Sequence, residues 1–239
     1  ASLYSDTMSH NGPIQHPIVK PVPVTKIGKA ERTRALLMDA AFKFLWSKPY
    51  QEMSVNSLMA TTSIARSAFY RYFDDIHDLM SEMLKRLEIE FLEVSRPWFS
   101  DDGDPVALLH QSLAADVQIG YRYGPFLKAI SDGAGTRADL EDEWNLFLGR
   151  FDDVVSERIT ADQKLGLIET FDPGPVAIAL TRTAAATYIS EFGKRPRSRP
   201  QPVVDAITRI WISTLYGQQW ATRKRSMPVR PPPADPIVA

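Results

Sequence analysis

Residues 54–79 contain two short amphipathic segments separated by small polar residues, and this stretch constrains the fold more than any other. Ser54 is a good helix N-cap, because its hydroxyl can accept a hydrogen bond from an unpaired backbone N–H group two or three residues later. Residues 61–63, Thr-Thr-Ser, favour a turn, since short polar side chains bond to nearby backbone groups. A second helix is predicted from about Ala65 to Phe73. The pattern therefore predicts a helix-turn-helix.

The second short helix separates apolar residues from hydrogen-bond donors. Ile64, Phe69 and Phe73 fall close to one side of it. Guanidinium and hydroxyl groups on the other side are of the kind that bind phosphate oxygens and base edges. The alternative is an ordinary helical hairpin with a solvated face, and these residues alone leave both possibilities open. The exposed row of donors is expected to be Arg66, Ser67, Tyr70 and Arg71.

The same stretch resembles the DNA-binding domain of the TetR family of transcriptional regulators. The family motif reads Val-Ser-Arg/Lys-x-Thr-Phe/Leu-Tyr-x-Tyr/His-Phe, and residues 64–73 read Ile-Ala-Arg-Ser-Ala-Phe-Tyr-Arg-Tyr-Phe. The family continues with Ser-Lys-Glu-x-Leu, where residues 75–79 read Asp-Ile-His-Asp-Leu. Ala68 and Ile76 stand where the family has Thr and Lys donors, and His77 is expected to substitute in part.

The resemblance implies specific contacts with double-stranded operator DNA. We expect Arg66 to reach a base edge, because its fork matches the two acceptors of guanine. Tyr70 and Tyr72 are expected to donate to phosphates, as they do in the family. The predicted DNA-binding residues are Lys29, Arg32, Arg34, Ser54, Arg66, Ser67, Tyr70, Arg71, Tyr72 and His77.

Composition divides the chain into four parts. Residues 1–28 are rich in proline and predict a disordered arm, and residues 223–239 predict a disordered Pro-rich tail. Between them we expect a helix-turn-helix reading head at residues 29–75 and a helical ligand-binding and dimerisation body at residues 76–222. The sequence has no cysteine and no apolar run of the ~20 residues that a membrane helix needs, and its first residues, which lack a charged start and an apolar segment, lead us to expect no signal peptide. We therefore expect a cytoplasmic protein without disulfides.

Charge is distributed unevenly between these parts. The whole sequence has a formal net charge of −1, which by itself argues against nucleic-acid binding. Residues 24–73 contain eight Lys or Arg residues and three acidic residues, so they carry +5 and the remainder carries −6. This asymmetry is typical of a basic reading head on an acidic body. Arg32 and Arg34, in the first turns of the first helix, are expected to contact phosphates.

The body is predicted to be all α-helical, because apolar residues recur at helical spacing and no alternating strand pattern is found. Pro97 is expected to end one helix and Gly124–Pro125 to begin another. Residues 210–217, Ile-Trp-x-x-x-x-Tyr-Gly, resemble the closing helix of the TetR branch that includes the mycobacterial ethionamide-resistance regulator. The predicted long helices span about Ala30–Lys48, Ile76–Arg96, Pro105–Tyr121, Arg137–Ile159, Pro173–Phe192 and Val203–Trp220.

Aromatic residues on the body helices indicate either packed core or a ligand cavity. Such a stripe is more often core, but Thr183 and Thr187 place hydroxyls at i, i+4 on a helix otherwise bearing alanines. A mostly apolar cleft with a few polar groups is typical of small-molecule sites. The resemblance implies an elongated apolar ligand, so we expect a neutral, largely hydrophobic effector. The predicted ligand-binding residues are Val117, Tyr121, Phe126, Trp144, Phe147, Leu148, Phe151, Thr183, Ala184, Thr187, Tyr188 and Trp211.

The resemblance also implies a homodimeric repressor on a pseudo-palindromic operator, released when a ligand favours a wider separation of the two heads. The dimer is predicted to form a four-helix bundle from the last two long helices. The alternative is that the chosen faces are internal core. These faces are Ala177–Thr181–Ala184 and Ile207, Trp211, Thr214 and Leu215.

The sequence does not indicate an enzyme. Its four histidines lack metal-ligand spacing, and it has neither a Gly-rich phosphate loop nor a nucleophile elbow. We therefore expect no catalytic residue, no metal and no cofactor. Two alternatives remain: a regulator of the same fold controlled by a partner protein, and a helical enzyme or carrier that kept the head by descent.

Overall fold

The structure, a computed structural model, describes residues 28–100 and 103–217. Within these ranges all regular secondary structure is helical, which confirms the all-α prediction. The predicted arm and tail, together with the end of the body, lie outside the described residues except for Gly28. The α-helices are α1 Lys29–Ser47, α2 Val55–Met59, α3 Arg66–Phe69, α4 Ile76–Ser100, α5 Pro105–Ala134, α6 Ala138–Lys164, α7 Pro173–Phe192 and α8 Pro200–Leu215, with a 3₁₀ turn at Tyr50–Glu52.

The reading head forms around a small apolar core. Leu37, Ala41 and Phe44 on one side of α1 are buried, as their helical spacing predicts. Ser54 caps α2: its hydroxyl accepts from the Ser57 N–H at 3.1 Å, and the Ser57 hydroxyl accepts from the Ser54 N–H at 2.9 Å. This is a capping box with serine in the place of the usual Glu or Gln.

α3 is shorter than the sequence predicts. The α-helix covers Arg66–Phe69, whereas the prediction extended it to Phe73. Past Phe69 the backbone tightens, because the N–H groups of Arg71 and Tyr72 donate three residues back, to Ala68 and Phe69. The segment stays coiled through these tighter turns, so its side chains keep a helix-like arrangement.

Two proline predictions in the body are wrong, because both prolines lie inside helices. α4 continues through Pro97 to Ser100, and α5 continues through Pro125 to Ala134. Proline removes one backbone hydrogen bond, and tertiary packing compensates for it here. Past Pro97, Trp98 is buried and its indole Nε1 donates to the Tyr216 hydroxyl at 3.1 Å. Past Pro125, the helix continues with a largely buried face.

Gly124 on α5 is required by packing and does not break the helix. A Cβ atom at this position would lie 2.4 Å from the Phe192 carbonyl oxygen, which is closer than such atoms approach. α5 and α7 therefore pack backbone against backbone at this point. α5 contacts α1, α4, α6, α7 and α8, so it is the central helix of the body.

The predicted dimer faces are mostly internal. Ala177, Thr181 and Ala184 on α7 are buried within one chain, and so are Ile207, Trp211 and Leu215 on α8. These residues pack α7 and α8 against the rest of the body, because their side chains point inward. Of the predicted set, Thr214 is exposed. No helix in the described ranges is long and apolar enough to cross a membrane.

Candidate functional site

The turn between α2 and α3 is fixed by threonine hydroxyls. Thr61 Oγ1 donates to the Leu58 carbonyl at 2.7 Å, and Thr62 Oγ1 donates to the Met59 carbonyl at 3.2 Å. The Ile64 N–H in turn donates to Thr62 Oγ1 at 3.2 Å. The same two carbonyls also accept from the N–H groups of Thr61 and Thr62, so the hydroxyls reinforce the turn and set the path of the chain into α3.

Two phenylalanines fix which side of α3 faces solvent. Phe69 and Phe73 are buried, with ring centroids 5.7 Å apart. The opposite side is open to solvent, as the apolar pattern predicts. The exposed donors are Arg66, Ser67, Tyr70 and Arg71, while Tyr72 is half-buried.

Arg66 and Tyr70 form an ordered pair on this exposed side. Arg66 Nη2 donates to the Tyr70 hydroxyl oxygen at 3.1 Å, and the guanidinium carbon lies 5.6 Å from the ring centroid. Tyr70 is 49% exposed. Because the hydroxyl accepts from Arg66, its own proton remains available to a phosphate, and the guanidinium keeps further donors for a base edge.

Arg34 is predicted to contact a phosphate, but its side chain contacts other residues of the same chain. Its Nη2 donates to the Tyr72 carbonyl at 3.2 Å, and its guanidinium carbon lies 5.3 Å from the Phe73 ring centroid. Glu82 lies 3.7 Å from its Nη1. The side chain therefore ties α1 to the end of the α3 segment and to α4, because three partners already occupy it.

Two other predicted DNA-binding side chains also have internal partners. The Ser54 hydroxyl is used in the α2 cap described above. His77 Nδ1 lies 2.9 Å from the Tyr50 hydroxyl, which joins the start of α4 to the 3₁₀ turn. Lys29 and Arg32, at the start of α1, are exposed and remain accessible to a phosphate backbone.

The head packs against the body through aromatic side chains. The Phe42 ring of α1 lies 4.9 Å from that of Tyr123 and 5.4 Å from that of Phe126, centroid to centroid. Tyr50 packs against α5 at Gly133, where a Cβ atom would approach its ring to 3.0 Å. Phe126, predicted as a ligand residue, therefore lies at the junction of head and body.

Tyr121, also predicted as a ligand residue, belongs to the same junction. The Arg197 guanidinium carbon lies 3.8 Å from the Tyr121 ring centroid and 4.1 Å from that of Trp46. Arg197 Nη1 also donates to the Tyr121 carbonyl at 2.5 Å. The segment between α7 and α8 is thereby attached both to α5 and to the end of α1.

A cavity of about 80 Å³ lies inside the body, among α4, α5, α6, α7 and α8. Since one water needs roughly 10–15 Å³ of such space, this volume suits a small organic molecule. Eight of its nineteen lining side chains are aromatic. The predicted ligand residues that line it are Trp144, Phe147, Leu148, Phe151, Ala184, Tyr188 and Trp211.

Five predicted ligand residues do not line this cavity. Tyr121 and Phe126 lie at the junction with the head, and Val117 is fully buried in the core. Thr183 and Thr187 lie on the outer side of α7, where their hydroxyls donate to the carbonyls four residues earlier at 2.7 Å. The α7 residues that face the cavity are instead Thr181, Ala184, Ala185 and Tyr188.

The sequence reasoning missed the contribution of α4 and the first half of α5. Their stripes had the composition of ordinary core, so periodicity gave no reason to select them. One signal was present: Leu109, Leu113 and Asp116 share a helical face, and an acid on such a face is uncommon. The additional lining residues of these two helices are Phe91, Ser95, Trp98, Phe99, Leu109, Ser112, Leu113, Asp116 and Leu127.

Asp116 is the acidic group of the cavity. The Ser95 hydroxyl lies 2.9 and 3.0 Å from its two carboxyl oxygens. Burial raises the pKa of Asp116 to about 7, and the hydrogen bond from Ser95 opposes this shift in part. Burial, with a smaller contribution from the Asp116 charge, also raises the pKa of Tyr188 well above its usual value.

Two further polar groups line the cavity. The Thr181 hydroxyl donates to Asp152, whose carboxylate pairs with Arg182 at 2.8 Å. The indole Nε1 of Trp211 is buried and has no hydrogen-bond partner among the described residues. Buried donors are nearly always paired, so an unpaired indole at a cavity is a candidate donor to a bound molecule.

Comparisons with known proteins agree with this geometry. Residues 37–83 match the family described as bacterial regulatory proteins, tetR family, and residues 123–217 match the C-terminal domain of the transcriptional regulator EthR. The regulator EthR of Mycolicibacterium smegmatis is 25% identical over 197 residues, covering 77% of this chain and 86% of the relative. EthR of Mycobacterium tuberculosis is 21% identical over 193 residues, covering 79% and 88%.

Solved structures share the fold at lower identity. The fatty acid degradation regulator FadR from Bacillus halodurans has a TM-score of 0.67 at 14% identity, covering 77% of this chain and 95% of that one. AibR, in complex with isovaleryl coenzyme A and operator DNA, has a TM-score of 0.59 at 14% identity, covering 77% and 98%.

The helix-turn-helix head on an all-helical body thus defines a transcriptional regulator, and the chain belongs to the TetR family. Within that family it is an EthR-like protein, because both the C-terminal match and the full-length relatives are of this type.

Proposed function

We propose that the protein is a homodimeric repressor that binds a pseudo-palindromic operator through α3 and is released by a small, largely hydrophobic ligand in the cavity. The observation that carries this proposal is the ordered Arg66–Tyr70 pair on the exposed side of α3. Because this arginine is already held in place by Tyr70, it loses less conformational entropy when it contacts a guanine edge. Acting on chromosomal DNA, the protein would work in the cytoplasm.

The proposed division is a head at residues 29–75 and a body at residues 76–222. Within the head, α3 and the start of α1 supply the DNA contacts, with Lys29, Arg32, Ser67 and Arg71 beside the central pair. Phosphate contacts position a head on the duplex, and base contacts specify the sequence. Arg34, Ser54 and His77 support this surface from within, since their side chains are bonded to the protein.

Dimerisation is proposed through the outer sides of α7 and α8. On α7 a stripe of small exposed residues includes Ala179, Thr183 and Ala186, with Ile178 beside it at 48% exposure. On α8, Ile210 is 41% exposed. Small residues allow close helix approach, and two exposed isoleucines give apolar area to bury, so two copies can pair across a two-fold axis.

Release by a ligand is proposed to act through α4. This helix begins in the head, where Ile76 and Leu79 are buried, and its second half supplies Phe91 and Trp98 to the cavity. A ligand that fits better when α4 is displaced would shift the population toward that arrangement and change the separation of the heads. AibR, a structural neighbour, was solved in complex with isovaleryl coenzyme A and operator DNA, which supports a body of this fold as the place for a small molecule.

The alternative is control by a partner protein. The cavity favours a small molecule, because its polar and aromatic groups lie between five helices of the body. The two are distinguished by extracting purified protein under denaturing conditions and identifying any bound small molecule by mass spectrometry.

The proposed function is tested by selecting genomic fragments with purified full-length protein. We expect fragments with two inverted half-sites about one helical turn apart, because each head of a dimer reads one half-site. A matched selection with the Arg66→Ala variant should lose this enrichment. Equal enrichment by both proteins, or fragments with a single half-site, would contradict the proposal.

A further inference from the structure

The cavity contains one acidic group that is not neutralised by a described basic residue. Asp116 is bonded to Ser95, and no ion pair within the described ranges includes it. Four carboxylates on nearby helices, by contrast, form ion pairs. Those of Glu88, Glu90, Asp152 and Asp162 pair respectively with Arg150, Arg122, Arg182 and Arg158.

Aromatic faces in the same cavity add to the attraction for a cation. The rings of Trp144 and Phe147 are stacked with centroids 5.3 Å apart, and Phe91 lies 5.9 Å from Phe151. Aromatic rings carry negative charge on their faces and attract a cation that is shielded from water. A carboxyl group within an aromatic cavity is therefore chemically suited to a positively charged, otherwise apolar ligand.

We propose that the effector is a small hydrophobic amine, whose protonated nitrogen pairs with Asp116 while its apolar part lies among the aromatic rings. This inference rests on the proposed function, since it assigns the ligand of the same cavity, and it replaces the neutral effector expected from the sequence. The cavity volume of about 80 Å³ favours a small ligand.

The state of Asp116 supports a cation over a neutral or anionic ligand. Burial without a cation raises its pKa to about 7, so the empty site carries an unfavourable charge at neutral pH. A protonated amine removes this cost, whereas a neutral ligand leaves it in place. A fatty-acid anion would add a second negative charge to the same cavity, which opposes binding.

The proposal is tested with two probes of the same shape, 2-phenylethylamine and 2-phenylethanol, on the full chain. Three of the five tryptophans line the cavity, so intrinsic tryptophan emission reports binding. At pH 8 we expect the amine to bind roughly tenfold or more tightly than the alcohol, because a charge-assisted hydrogen bond is stronger than a neutral one. The Asp116→Asn variant should lose this preference, and the exposed-site control Asp153→Asn should keep it.

A second measurement needs no variant. As the pH falls below about 7, Asp116 gains a proton and binding of the amine to the wild-type protein should weaken, while alcohol binding stays constant. Tyr188 is the other titratable lining residue and stays neutral in this range. Equal affinities for both probes, a preference that survives Asp116→Asn, or binding of neither probe would each overturn the proposal.

These titrations need no operator, so the two proposals fail separately. An amine that binds through Asp116 but leaves operator affinity unchanged at saturation would refute ligand release and support the ligand class. The opposite outcome is that the alcohol and the amine bind the protein with equal affinity and release DNA equally when the same fraction of the cavity is occupied. That outcome would refute the ligand class and support ligand release.

Discussion

Replacing Asp116 by Asn should change how the stability of the empty protein depends on pH. Between about pH 4 and pH 7 the folded protein holds a proton on Asp116 that the unfolded chain has lost, because the folded-state pKa is about 7 against an ordinary value of 3.8. Stability from this group therefore falls as the pH rises through this window, and it is constant above it. Asn carries no charge and removes this dependence.

The magnitude follows from the two pKa values. A shift of one pH unit corresponds to about 1.4 kcal/mol, so the full ionisation cost is roughly 4 kcal/mol. Between pH 5 and pH 8 the unfolding free energy of the variant should rise relative to the wild type by roughly 3 kcal/mol, since part of the cost is already present at pH 5. The hydrogen bond from Ser95 is already included in the pKa of about 7, and water that enters the cavity reduces the value, so this is an upper figure.

Urea unfolding followed by circular dichroism at pH 5 and pH 8 measures this difference at fixed protein concentration. The control is Asp153→Asn, an exposed carboxylate on α6, whose difference from the wild type should stay within about 0.5 kcal/mol at both pH values. If the Asp116→Asn difference is equally flat, burial does not raise the pKa of this carboxyl group and the reasoning is refuted.

Three further predictions concern packing, assembly and the cavity. Gly124→Ala should lower stability by about 1–3 kcal/mol, because the new methyl meets the Phe192 carbonyl, whereas the methyl of Gly149→Ala meets nothing within 4 Å and that substitution should be neutral or stabilising. Thermal unfolding compares the two variants, and equal melting points would contradict close α5–α7 packing. The double variant Ile178→Glu/Ile210→Glu should sediment as a monomer at micromolar concentration, while Leu165→Glu, on a site that is 72% exposed, should remain dimeric; a dimeric double variant would place the interface elsewhere. Ala184→Trp should abolish the binding of 2-phenylethylamine measured by calorimetry while helix content is retained, because the indole occupies the cavity. The exposed-site control Leu146→Trp should bind normally, and binding by both variants would show that the ligand site lies elsewhere.

The starts of α4, α5 and α7 could be predicted from the sequence because caps are local, whereas α8, which has no side-chain cap, begins at Pro200 and not at the predicted Val203. Asp75 accepts from the N–H groups of His77 and Asp78, and Asp104 and Asp172 accept in the same way at the starts of α5 and α7. Each cap depends on residues within three positions along the chain. The division of α3 into a buried and an exposed side was equally accessible, since it follows from one helical period.

Two features could not be predicted in this way: the continuation of α4 and α5 through proline, and half of the residues that line the cavity. Pro97 and Pro125 are tolerated because distant residues, such as Tyr216 at Trp98, stabilise the helix beyond them. Periodicity also gives the apolar side of a helix without saying which other helix it meets. Ala184 and Thr187 are three positions apart, yet one lines the cavity and the other faces outward.

The binding of operator DNA by the Arg66→Ala variant tests the assignment of α3 most directly. With an operator obtained by selection, we expect the variant to bind about 1–3 kcal/mol more weakly than the wild type at fixed salt, with unchanged helix content and unchanged dimer. Arg199→Ala, which removes an exposed arginine from the body, should bind like the wild type. Wild-type affinity in the folded Arg66→Ala variant would contradict the assignment of α3 as the DNA-reading element.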